Sequence, residues 1–117
     1  MTHAFARQAS EAGMSADDVS DVIELIAKNP SIGAIMPGTG GCRKLRIAGR
    51  GKGKSGGYRV ITYFVAEDMP VYLLAVFGKG EKSNLTMAER NALSVVAKTI
   101  LEEASERRKK HVQARIR

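Results

Sequence analysis

The apolar positions along this chain change their period twice. Val19, Val22, Ile23 and Ile26 recur at i, i+3, i+4 and i+7, the spacing of one buried helix face. Ser15 ahead of them is a good N-cap, and Asp17 and Asp18 place negative charge in the first turn, where the helix dipole favours it. Pro30 ends this helix at about Lys28. Before it, His3 to Ala12 carries Phe5, Ala9 and Ala12 on one side and stops at Gly13. The two segments read as a helical hairpin laid on a sheet. Residues 32–41, which include the run PGTGG, lack any period and read as loop.

From Arg43 the period falls to two. Leu45 and Ile47 alternate with Lys44 and Arg46, so the two pairs point to opposite faces of a strand. A second strand, Tyr58 to Val65, is rich in β-branched and aromatic residues. A third, VYLLAVF from Val71 to Phe77, is apolar on both faces and reads as central in the sheet. Three consecutive strands with short connections suggest an antiparallel meander. The helical period then returns. Thr86 and Glu89 form a capping box, and Leu93, Val96, Ala97, Ile100, Leu101 and Ala104 follow on one face. The expected class is α+β: an N-terminal helical hairpin packed on a small antiparallel β-meander, with a C-terminal helix. A domain over residues 1–106 is followed by a basic tail over 107–117.

Charge adds a direction to this outline. The 117 residues carry a net charge of +7, which makes a polyanion the first partner to consider. Asp17, Asp18, Asp21 and Glu24 on one side, and Glu102, Glu103 and Glu106 on another, balance much of the rest, so the molecule is polarised. From Arg43 to Arg59 there are basic residues at 43, 44, 46, 50, 52, 54 and 59 and no acid. Glycines at 49, 51 and 53 alternate with the cations, which lets backbone approach a ligand closely. The competing reading is a solvated basic loop; the uninterrupted crowding of like charge favours polyanion binding. Arg59 differs from the loop cations. It shares a strand face with Ile61 and Tyr63, and its alternative role is a structural ion pair with an acid such as Glu81. Tyr58 and Tyr63 read as core or sheet residues rather than as stacking platforms.

Several chemistries are disfavoured. Ala48 to Ser55, AGRGKGKS, fits a relaxed phosphate-loop pattern, but a strand follows it where the motif needs a helix N-terminus. Cys42 is the sole cysteine, so no intramolecular disulfide or thiolate cage is expected. His3 and His111 lack partners at metal-ligand spacing, so neither a metal nor another cofactor is expected. No apolar run approaches the ~20 residues of a membrane span, and the first residues lack a signal-peptide core. The expected location is cytoplasmic, with no membrane partner.

GTGGCRKLR (Gly38 to Arg46), GKGKSGGYRVITYF (Gly51 to Phe64) and VYLLAVFGKGEKSNLT (Val71 to Thr86), followed by AERNAL, together resemble the RelE/ParE superfamily of bacterial toxins. The closer likeness is to its RelE/HigB-type branch, the toxin half of type II toxin–antitoxin modules. The resemblance covers about residues 3 to 100. It implies a RelE-like fold whose N-terminal strand is here short or absent, since only Met1 and Thr2 precede the first helix. It also implies a metal-independent, ribosome-dependent mRNA endoribonuclease, in which the ribose 2′-OH attacks the adjacent phosphate.

On that resemblance Lys52 and Lys54 are expected to bind phosphate or act as base. Arg59 would stabilise transition-state charge, supported by Lys79 or Lys82. Arg43, Lys44, Arg46 and Arg50 would grip RNA, as would the basic tail. Some well-known toxins of the RelE kind have an arginine where this chain has Gly80 and a tyrosine where it has Thr86, and the resemblance therefore leaves the proton-transfer roles unassigned. The implied partners are the ribosome, mRNA and a cognate antitoxin, often a helix-turn-helix protein. Two rivals are a non-enzymatic gyrase poison of the ParE kind and an inactive relative that binds RNA or antitoxin.

Overall fold

The computed structural model of the chain describes residues 2–49, 57–66, 69–78 and 85–116. Its elements are α1 (His3–Glu11), α2 (Ala16–Lys28), β1 (Ala34–Ile35), β2 (Arg43–Ile47), β3 (Tyr58–Tyr63), β4 (Tyr72–Gly78) and α3 (Met87–Ile116). The four strands form one antiparallel sheet in the order β1-β2-β3-β4. This is the expected α+β class: a helical hairpin, a meander and a C-terminal helix. Among the described residues no strand precedes α1.

The helix starts behave as their sequences require. Ser15 and Asp18 form a reciprocal capping box, the hydroxyl accepting from Asp18 N and the carboxylate from Ser15 N, each at 3.1 Å. Thr86 and Glu89 do the same for α3, at 3.1 and 2.9 Å. α2 buries Val22 and Ile26, but Ile23 is 46% exposed. The buried stripe follows the i, i+4 row Asp18–Val22–Ile26, which turns Ile23 outward.

Two apolar clusters sandwich the sheet. On one face Leu45, Ile47, Tyr58, Val60, Leu73 and Val76 meet Phe5 and Ala9 of α1 and Val22 and Ile26 of α2. On the other face Ile61, Tyr63, Leu74 and Ala75 meet Ala97 and Ile100 of α3. A register irregularity between Ile61 and Thr62 shifts the pairing with β4. It lets the adjacent Leu74 and Ala75 both serve the second cluster. Val96 and Leu101, expected on the buried face of α3, are largely exposed. Among the described side chains of α3, the narrow line Leu93–Ala97–Ile100–Ala104 turns inward. The helix continues without a break through Glu106 into the basic tail.

Two further sequence-based expectations change. Residues 34–35, read as loop, form β1, paired Ala34 to Lys44 and Ile35 to Arg43. Gly33, at φ +99°, brings the chain so close that a Cβ there would lie 2.6 Å from Lys44 O. The apolar strand read as central, β4, is the last in the sheet order. Helices cover its two faces, and α1 shields its outer edge. Val76 N donates to Gln8 Oε1 at 3.0 Å, and Thr2 N and Thr2 Oγ1 both donate to Leu73 O, at 3.2 and 2.9 Å. An edge strand covered in this way is apolar for the same reason as an interior one.

Candidate functional site

Among the described residues, the sheet face that carries α3 is not covered along its whole length. The strand register sets what lies on the remainder. Arg46 pairs with Arg59, and Arg59 pairs in turn with Phe77. The three side chains form one row across β2, β3 and β4 on the face opposite the helical hairpin. The next row is Lys44, Ile61 and Ala75, and there the second cluster takes over at Ile61 and Ala75. Lys44 and Arg46 are exposed, and Arg59 and Phe77 are half-buried. Cβ atoms directly opposite in an antiparallel pair lie about 5 Å apart. Two guanidinium groups are thus held together on a sheet whose apolar underside fixes their backbones.

Arg43 does not join this row. Alternation turns it to the hairpin face, where it is half-buried and its Nη1 donates to Gly33 O at 2.9 Å. There it ties β2 to the turn before β1.

The row lies at the end of the sheet where two chain segments leave. Tyr58 pairs with Ile47 on one side and with Gly78 on the other, so the loop after β2 and the exit from β4 are rooted beside the same residue. The neck of the β2–β3 loop is tight. A Cβ on Gly49 would lie 2.6 Å from Cε2 of Tyr58, and one on Gly57 would lie 2.6 Å from Ile47 O. Tyr58 is buried, and its hydroxyl donates to Gly13 O at 3.2 Å. One ring therefore connects the loop neck to the turn between α1 and α2. Arg50, Lys52, Lys54, Lys79 and Lys82, together with Glu81, the acid considered as a partner for Arg59, lie outside the described residues.

One feature of the site escapes sequence reading. Phe77 falls beside Arg59 through the register of β3 and β4, and counting back through the short turn from one strand to the next is the signal that finds it. Thr86, as its sequence context predicts, is engaged as the cap of α3. Beneath α3, Cys42 and Tyr63 are buried, and burial pushes both the thiol and the phenol above their ordinary values. A hydrogen bond with Thr39 partly offsets the rise at Cys42, and the proximity of Cys42 adds to that at Tyr63. A thiol held protonated is a poor nucleophile. Among the described residues no three His, Cys, Asp or Glu side chains gather to hold a metal ion. Among them, too, no helix is long and apolar enough to cross a membrane.

The described part of the site is thus a cationic row, Arg46 and Arg59, beside the point where the chain leaves β2. Residues 1–116 match the family described as the RelE toxin of the RelE/RelB toxin–antitoxin system. The chain belongs to that family. It is a toxin of a toxin–antitoxin module, and such a module implies an antitoxin as its partner.

Proposed function

We propose that this toxin inhibits translation by cutting mRNA on the ribosome, with the ribose 2′-OH as nucleophile and without a metal ion. The observation that carries the reading is the pairing of Arg46 with Arg59 on the open sheet face. Two guanidinium groups set side by side on one sheet face offer paired positive charge to a phosphate. In the reaction a new bond forms between the 2′-oxygen and phosphorus while the bond from phosphorus to the 5′-oxygen breaks. The products are a 2′,3′-cyclic phosphate and a 5′-OH. The phosphorane between them carries extra negative charge, and preorganised cations at that point lower the barrier.

Arg59 takes the charge-stabilising role, because it stands on a strand paired on both sides. Lys52 and Lys54 serve phosphate binding, with one of them as base for the 2′-OH. Crowding by other cations would lower the lysine pKa towards the working range. Lys79 or Lys82 supports the leaving side. Arg46, Lys44 and Arg50 hold the flanking RNA, and each phosphate met adds salt-sensitive affinity. A helix-turn-helix antitoxin that supplies acidic groups to this face would silence it. Primer extension on a message translated in a purified system tests the reading. The added protein is treated with EDTA beforehand and run beside Arg59→Ala. Breaks that require ribosomes and disappear in the variant are expected. No breaks at any dose from the folded protein would leave a binding protein or a gyrase poison.

A further inference from the structure

The chain has six aromatic residues, all within the described segments. Phe5 and Tyr58 lie in the cluster under the hairpin, at 0% and 2% exposure. Tyr63 is buried under α3, and its cross-strand partner Tyr72 packs against the same cluster at the far end of β4. Phe64 follows the last residue of β3, five positions from Arg59. Phe77 alone shares a row with the two arginines. It packs against the second cluster and remains half-buried. With strands about 4.8 Å apart, Phe77 stands roughly 5 Å from Arg59 and roughly 10 Å from Arg46 across the sheet.

Sites for single-stranded nucleic acid combine cations that follow the phosphates with an aromatic ring on which a base stacks. The row Arg46–Arg59–Phe77 supplies both parts in one line. We propose that Phe77 is the platform on which a base of the bound message stacks while Arg46 and Arg59 hold the phosphates beside it. This inference rests on the RNA-cutting reading above and adds the contact that sets how the base is held. A phenyl ring stacks on any base and offers no hydrogen bond, so this contact would contribute affinity and position with little choice between bases. The alternative is that Phe77 only closes the edge of the second cluster.

The test uses ribosomes programmed with a message that carries 2-aminopurine in the vacant A-site codon. The codon also carries 2′-O-methyl groups, which block cutting. The full-length protein is compared with Phe77→Leu, which keeps apolar bulk against the cluster, and with Phe77→Trp. Wild type should quench the 2-aminopurine fluorescence. Phe77→Leu should abolish the quench and weaken binding about 5- to 100-fold, and Phe77→Trp should restore both. If Phe77→Leu quenches and binds as wild type does, Phe77 is not the platform. The same holds if wild type cuts an unmodified message yet leaves the probe unquenched. If wild type neither binds programmed ribosomes nor cuts their message, the RNA-cutting reading falls first and the platform with it. Thermal unfolding of the leucine variant separates a lost contact from a lost fold, and rescue by tryptophan decides the remaining case.

Discussion

Arg46 on β2 and Arg59 on β3 are direct cross-strand neighbours, two guanidinium groups on one open sheet face. Like charges so placed oppose folding by up to about 1 kcal/mol. Replacing Arg46 with threonine, a good strand residue, should therefore raise the unfolding midpoint slightly while reducing message cutting at least tenfold. Urea titration and primer extension on the same preparation check both halves. A variant that lost both stability and activity would show that Arg46 is a structural residue.

The loop neck gives a second expectation. Gly57→Ala drives a methyl group against the backbone carbonyl of Ile47, where neither atom can step aside. A loss of roughly 1–3 kcal/mol in urea unfolding is expected. Gly38→Ala is the contrast. It has open space around it and a φ of +77°, so it should cost only about 1–2 kcal/mol of left-handed strain.

The meander, the capping boxes and the alternation of Leu45 and Ile47 against Lys44 and Arg46 could all be read from residue types, because each depends on neighbours within a few positions. What could not be read depends on partners far along the chain. Ile23 fits a helical stripe as well as Val22 does, and only the tilt of α2 on the sheet decides which is buried. VYLLAVF carries the pattern of an interior strand because α1, some 70 residues earlier, covers its edge. Of the described row, Arg46 and Arg59 were legible as charge on strands, while the loop cations lie outside the described residues. The separation of Arg43 from Lys44 and Arg46 followed from alternation once the strand was placed. Phe77 needed the register.

Gln8 offers a third test. Its side-chain oxygen accepts from Val76 N on the outer edge of β4. Gln8→Leu would keep the bulk but leave that amide without its acceptor, with an expected loss of about 1–3 kcal/mol. Concentration-dependent association, followed by light scattering, should rise as the edge opens.

Alkaline pH probes the floor beneath α3. Cys42 and Tyr63 both have folded-state pKa values raised by burial. Each group keeps its proton longer in the folded protein than in the unfolded one, so stability is unaffected below the unfolded values. It falls as pH rises through the thiol value near about 8.5 and the phenol value near about 10. Unfolding midpoints should be flat from neutral pH to about 8 and decline above it. Cys42→Ala should remove the earlier part of the decline. At neutral pH, iodoacetamide should label Cys42 slowly unless urea is present.

The hydrogen bonds from Thr2 to Leu73 and from Val76 to Gln8 join residues separated by 71 and 68 positions. A growing chain cannot seat its first helix until β4 has been synthesised, and until then the apolar side of α1 has no strand edge to cover. Arg46 and Arg59 can pair earlier, in a local hairpin, but the row with Phe77 closes only at that later moment. The row is therefore completed only once β4 has been made, well after the two arginines themselves.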